Sequence, residues 1–319
     1  MFKKNMSTYN LTSFFSLVMC LALTLNACSG SAPTAAATQP EPAPIKAAAT
    51  TIPTQLPASA TALPTKPAAI ATSAPKGPVA PPEFTLTVKT DNMFAPARLP
   101  AGLVRINSYN FELDWHTTII RRINDDVKLD DFATAFKKDP VSTMPMTSYL
   151  GGPDVPGGTI LAGYYTLTPG TFIIVDNSND PWRFSSFQVA GTANQAAAPQ
   201  ADISVIEKEY SFDMPKSIPS GIHLWKFTNQ GKALHNVAIV RLNQGKTIKD
   251  LITFVKDSQG KPPYEYLAGW NFLSPGVTSW GEVDLQPGEY MIVDAAPDFA
   301  TGDGLNAEKG MYAAFTVTP

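Results

Sequence analysis

The sequence predicts an all-β protein of two Greek-key β-sandwich domains, each with a short helix inserted, carried on a disordered tether rich in Pro, Ala and Thr. Three observations lead there. The chain repeats itself once across residues 83–319. Short runs of β-branched and aromatic residues fill each repeat, punctuated by Pro-Gly pairs. The stretch before them lacks apolar bulk: residues 29–82 hold 12 prolines and no aromatic residue. Such a chain buries too little surface to offset its conformational entropy.

Taken in order, the chain opens with Lys3 and Lys4, then an apolar run from Phe14 to Leu25. That run is shorter than the roughly 20 residues that span a bilayer and has the length of a signal-peptide core. Leu25-Asn26-Ala27-Cys28 follows. This stretch resembles the lipobox of bacterial lipoproteins, which implies cleavage after residue 27 and diacylation of Cys28. Residues 1–27 are then a lipoprotein signal peptide, and residues 28–82 a lipidated cysteine and its tether. The resemblance implies a lipid-anchored protein on the extracytoplasmic face of a cell membrane. Extended at about 3.1 Å per residue, the tether would reach on the order of 150 Å. Cys20 and Cys28 are the only cysteines, so the folded part has no disulfide, thiolate ligand or cysteine nucleophile. The formal charge of −3 and the lack of a basic face argue against nucleic acid as a partner.

The repeat is read from four matched segments. Phe94-Ala95-Pro96 matches Phe212-Asp213-Met214-Pro215, and Leu99-Pro100-Ala101-Gly102 matches Ile218-Pro219-Ser220-Gly221. The run from His116 to Arg121 matches His235 to Arg241, and Leu167 to Asp176 matches Leu285 to Asp294. The domains are placed at 83–191 and 200–319, with the boundary in the small-residue stretch between them. Leu129, Phe132 and Phe136 fall on one face of a helix in the first copy, and Ile248, Leu251, Ile252 and Val255 in the second.

The order of these segments resembles the cupredoxin family, the fold of plastocyanin and azurin, in both copies. In that family two His and one Cys hold a blue copper ion, with a weak axial Met. The resemblance places the first His at His116 and His235, the Cys at Asp176 and Asp294, and the axial Met of the second copy at Met311. No second His lies between Asp294 and Gly310, nor after Trp182 in the first copy. The expectation is a cupredoxin-like fold that has lost blue-copper chemistry and needs no cofactor.

Two readings compete for the vestigial positions. A buried imidazole beside a carboxylate satisfies itself by hydrogen bonding, and this reading is preferred. The other is a weak copper site of His235 and Asp294, with Met311 or one of Asp298, Asp303 and Glu308. Met144 and Met146 are read as apolar filler. Tyr264, Tyr266, Trp270 and Trp280 are read as packing aromatics that, if exposed, could stack on a sugar or seat a protein. His223 has no partner legible in sequence. Asp125, Asp126, Asp130 and Asp131 suit a helix start and solvent. No nucleophile motif or phosphate loop is present, so the chain is not expected to be an enzyme. The function expected is a membrane-anchored binding or scaffold lipoprotein with an envelope protein or glycan as partner. The alternative is a cell-envelope metal-binding or electron-transfer protein with a degenerate site.

Overall fold

The computed structural model describes residues 79–89 and 92–319; the expected signal peptide, Cys28 and the expected tether up to Pro78 lie outside them. The first copy contains β1 (Glu83–Lys89), β2 (Asn92–Phe94), β3 (Arg98–Pro100), β4 (Gly102–Asn110), β5 (His116–Thr117) and β6 (Ile119–Ile123). Helix α1 (Leu129–Lys138) follows, then β7 (Thr147–Gly151), β8 (Asp154–Val155), β9 (Ile160–Leu167), β10 (Gly170–Asp176) and β11 (Arg183–Ala190). The second copy contains β12 (Ile203–Lys208), β13 (Ser211–Asp213), β14 (Ser217–Pro219), β15 (Gly221–Asn229) and β16 (His235–Leu242). Helix α2 (Ile248–Asp257) follows, then β17 (Tyr264–Leu273), β18 (Thr278–Leu285), β19 (Gly288–Val293) and β20 (Tyr312–Thr318).

The architecture is all-β: two Greek-key sandwiches, each with one inserted helix, joined edge to edge. An eight-stranded sheet runs β13-β12-β15-β18-β9-β4-β1-β2, and a ten-stranded sheet runs β14-β20-β19-β16-β17-β7-β6-β10-β11-β3. In each order the second copy supplies one half and the first copy the other. Equivalent strands therefore meet at the middle. In the smaller sheet β18 pairs with β9 through Trp280–Tyr164 and Gly281–Gly163. Gly163 and Gly281 occupy equivalent positions, so a pseudo-two-fold axis passes between them. In the larger sheet the same axis passes Pro153 and Trp270, which form a bridge beside the Leu150–Leu273 pair. There the Asn271 N–H donates to Gly152 O at 2.8 Å. The Asp154 carboxylate accepts from Asn271 Nδ2 at 2.7 Å and from the Tyr266 hydroxyl.

The main core crosses this junction. Trp270 is stacked on Phe227 at 5.0 Å and on Tyr165 of the other copy at 6.0 Å. Its Nε1 donates to Ser279 Oγ at 2.8 Å. A Cβ on Gly281 would collide with the Trp270 ring, and one on Gly163 with the Tyr165 phenol. Glycine at both positions lets a large ring cross the strand beside it. Smaller clusters sit under the helices. Phe132 and Phe136 of α1 pack in one, as expected. In α2 the buried residues are Leu251, Phe254 and Val255, so Phe254 joins the expected face while Ile248 and Ile252 stay partly buried. Thr247 and Asp250 form a capping box at the start of α2. The strands of the two copies divide between β11 and β12, yet both sheets and the main core are common to them.

A shared core predicts that the chain unfolds in one cooperative transition. Gly281→Val forces the Trp270 ring to move and is expected to lower stability by about 1–3 kcal/mol. Denaturant unfolding followed by tryptophan fluorescence and by circular dichroism checks this; two resolved transitions would contradict it.

Candidate functional site: two buried histidine–aspartate pairs

The end of β4 and the end of β15 carry equivalent asparagines that build the approach to each histidine. Asn110 Nδ2 donates to Asp114 O at 2.7 Å and to Val155 O at 2.9 Å, and its Oδ1 accepts from the Glu112 N–H. Asn229 Nδ2 donates to Ala233 O at 2.8 Å and to Leu273 O at 2.7 Å, and its Oδ1 accepts from the Gly231 N–H. Both side chains are fully buried and close the loop so that the next strand begins with His116 or His235. An Asn at equal spacing before each His was the sequence signal for this device, and sequence reasoning missed it.

Each histidine meets the aspartate that the resemblance matched to it. His116 Nδ1 lies 2.8 Å from Asp176 Oδ2, and His235 Nδ1 lies 2.9 Å from Asp294 Oδ2. All four side chains are buried. With a carboxylate facing Nδ1, that nitrogen is the donor.

The surroundings of the two pairs differ. In the first copy Asp176 Oδ2 also accepts from Arg183 Nη2 at 2.5 Å. Its Oδ1 accepts from the Ser178 hydroxyl at 2.5 Å and the Ser178 N–H at 3.0 Å, and from the Thr117 N–H at 3.3 Å. Burial works to raise the Asp176 pKa, but the bonds from His116 and Ser178 prevail and hold it down to about 2. In the second copy Asp294 accepts from His235, from Asn306 Nδ2 at 2.9 Å and from the Ala296 N–H at 3.0 Å. No guanidinium joins them, and burial raises the Asp294 pKa despite these bonds. Glu207, fully buried on β12, adds a second carboxyl with neither oxygen hydrogen-bonded. Burial, and then repulsion from Asp294, push its pKa well above the ordinary value. His235 Nε2 is also buried without a partner. The strand alternation Ile203, Val205, Glu207 already places Glu207 on the inner face, but without the fold nothing ties it to Asp294. Arg183 was missed for a similar reason: it reaches Asp176 through the β10–β11 register.

The other candidates fall into structural places. Met311 is fully buried, and its carbonyl accepts from the Asp294 N–H at 3.0 Å. Asp298 is bound by Lys309, by the Tyr210 hydroxyl at 2.8 Å and by the Thr301 hydroxyl, while Glu308 pairs with Lys256 at 2.8 Å. Neither carboxylate contacts His235 in these bonds. His223 is 3.2 Å from Ser220 O and 3.7 Å from Asp202, partners the sequence did not reveal. Met144 and Met146 pack on the cluster under α1. Asp130 and Asp131 lie in the first turn of α1, and Asp125 accepts from Arg122.

Copper, the metal implied by the resemblance, does not fit these donors as a blue site. Residues 79–319 contain no cysteine, each position has one imidazole, and a carboxylate stands where a thiolate is required. In the first copy a guanidinium already supplies the cation that Asp176 faces. Among the described residues no three of His, Cys, Asp and Glu are grouped to hold a metal ion.

No protein-family model and no curated protein matches the chain. Solved structures similar to it include dithionite-reduced auracyanin from Roseiflexus castenholzii, with 21% identity, 36% of this chain and 95% of that one covered, and a TM-score of 0.26. Copper nitrite reductase from Nitrosomonas europaea has 14% identity, 74% and 93% coverage and a TM-score of 0.23. Auracyanin A, a blue copper protein from Chloroflexus aurantiacus, has 13% identity, 36% and 99% coverage and a TM-score of 0.25. The sheet topology described above, not these distant likenesses, defines the fold.

Two buried acids, Asp176 beside His116 and Glu207 near Asp294, predict opposite pH behaviour. Asp176 is depressed from 3.8 to about 2, so its contribution is full above the unfolded value and is lost as pH falls through about 2; the shift corresponds to about 2 kcal/mol. Glu207 is raised above its ordinary 4.5, so the folded state holds a proton that the unfolded state releases. Stability from this group therefore falls as pH rises from about 4.5 through the raised value. Thermal unfolding across pH is expected to show Asp176→Asn losing the acid limb and Glu207→Gln gaining stability at neutral pH. A Glu207→Gln variant less stable than the parent at pH 7 would contradict the buried neutral carboxyl.

Proposed function

We propose that the chain is a lipid-anchored binding module of a bacterial envelope, in which hydrogen-bonded His–Asp pairs have replaced metal chemistry inside a cupredoxin-like scaffold. The observation that supports this best is the pair of Asp176 and His116. Every oxygen of that carboxylate is hydrogen-bonded, one of them to a guanidinium. A site closed in this way stabilises a fold and leaves the surface free for recognition. The lipobox-like Leu25-Asn26-Ala27-Cys28 and the proline-rich stretch after it support anchoring through Cys28 at the extracytoplasmic face, with the tether setting the distance to the membrane. The partner is an envelope protein or a glycan, and binding, not catalysis, is the role.

A second reading, weak metal binding in the second copy, is favoured by one observation: His235 Nε2 and both Glu207 oxygens are buried without partners. It remains the rival because those groups lack the guanidinium that closes the first copy.

Two measurements separate these readings. Cys28→Ala is expected to release the protein from the membrane fraction while leaving its β-rich spectrum unchanged; a variant that still sediments wholly with membranes would refute the anchor. Copper added to the purified protein is expected to leave it without an intense visible band, because that band requires a thiolate bound to copper. Stoichiometric copper uptake that vanishes in His235→Ala and Glu207→Gln would favour the rival.

A further inference from the structure

The two copies share a fold but not an outer face. On the outer side of the smaller sheet, the strand register lines up one row of residues in each copy. In the first it runs Phe94 on β2, Thr87 on β1, Tyr109 on β4 and Ile160 on β9. In the second it runs Asp213, Ile206, Thr228 and Thr278. Leu86 and Val88, on either side of Thr87, are buried in the core, so this row faces outward. The loop after β4 extends it. The Phe111 ring centre lies 3.8 Å from that of Tyr109, and Leu113 follows two residues later. The second copy has Gln230 and Lys232 there. Phe94 is 53% exposed, Phe111 56%, Ile160 52% and Leu113 96%. Among these positions only Ile206, half-buried, is more apolar than its counterpart.

The loop does not need these side chains to hold its shape. Asn110 closes it as Asn229 closes the other. Gly157 lets its backbone pack close, since a Cβ there would strike Leu113 O. Single exposed apolar residues are ordinary, but a contiguous strip marks an interaction surface. This one presents roughly 400 Å² of apolar side chain, against about 800 Å² per partner in a standard interface. It suits the apolar centre of a small contact. Its rim carries both signs. Lys89 Nζ stands 5.6 Å from the Phe111 ring centre, Asp114 directly follows Leu113, and both are exposed. A two-fold axis through the strip sets Lys89 of one protomer toward Asp114 of its partner, and the reverse, so the surface complements itself. An anionic lipid surface would instead repel Glu112 and Asp114. We propose that this strip joins two copies of the chain in an isologous dimer of micromolar strength. The dimer goes beyond the binding role proposed above and needs no lipid anchor.

The test uses the full-length chain with Cys20→Ser and Cys28→Ala, in density-matched detergent, so that no lipid is attached and an introduced cysteine is the only thiol. Sedimentation equilibrium is expected to show monomer and dimer in exchange, with half-association between about 1 and 100 µM. Leu113→Lys and Phe111→Gln install the residues that the second copy carries at those places. Each is expected to weaken association at least about tenfold with an unchanged β-rich spectrum. Leu113→Cys is expected to give a disulfide-linked dimer under a mild oxidant. Ile222→Cys, exposed on the second copy outside the strip, is expected to give none. Lys89→Glu sets like charges across the contact and is expected to weaken it, and adding Asp114→Lys to restore it. A chain still monomeric at about 100 µM, a dimer indifferent to Leu113→Lys, equal cross-linking at Ile222→Cys, or no rescue by Asp114→Lys would overturn the inference. So would Leu113-dependent binding to phosphatidylglycerol vesicles by a chain that stays monomeric.

Discussion

Each copy of the repeat has an open edge in each of its two sheets, and the structure depends on how those edges are satisfied. An unpaired edge strand exposes a row of backbone donors and acceptors. Here β9 of the first copy meets β18 of the second, and β7 meets β17. Because the paired strands are equivalents, the contact behaves like a two-fold dimer interface within one chain. The rings that cross it, Tyr165, Trp270 and Phe227, form a stacked column in the shared core. Full burial of such side chains stabilises by roughly 1.5–3 kcal/mol each. The two facing glycines and the Asp154–Asn271–Tyr266 network sit at the same junction.

Once two copies share a core, their buried polar positions are free to diverge. The His–Asp pair is present in both at nearly the same separation, yet the first is finished by Arg183, Ser178 and Thr117 and the second is crowded by Glu207. Val88 stands in the first copy at the position that Glu207 occupies in the second, and both are fully buried. A buried carboxylate opposed by a cation is held ionised; one opposed by another carboxyl is driven to keep its proton. The first copy is thus electrostatically closed, while the second carries an uncompensated acid.

Much of this was legible in the sequence, and the reasons are local. The strands follow from two-residue alternation, the helices from the spacing of Phe132 with Phe136 and of Leu251 with Val255. The His–Asp pairs follow from two histidines and two aspartates recurring in the same order in both copies. What was not legible depends on register between distant strands. The alternation puts Glu207 inside, but only the fold brings it near Asp294. Arg183 finds Asp176 across a hairpin whose connection the sequence leaves open. The sharing of both sheets by the two copies rests on edge pairings that no residue pattern announces.

The central claim is that each imidazole is tied through Nδ1 to its aspartate and is not available there to a metal. Nitrogen-resolved NMR of the histidine rings tests it most directly. Protected Nδ1–H resonances are predicted for both His116 and His235, and they are predicted to persist after one equivalent of zinc or copper(I) per site is added. Absence of those resonances in the metal-free protein, or their loss on adding metal while the fold remains intact, would contradict the claim.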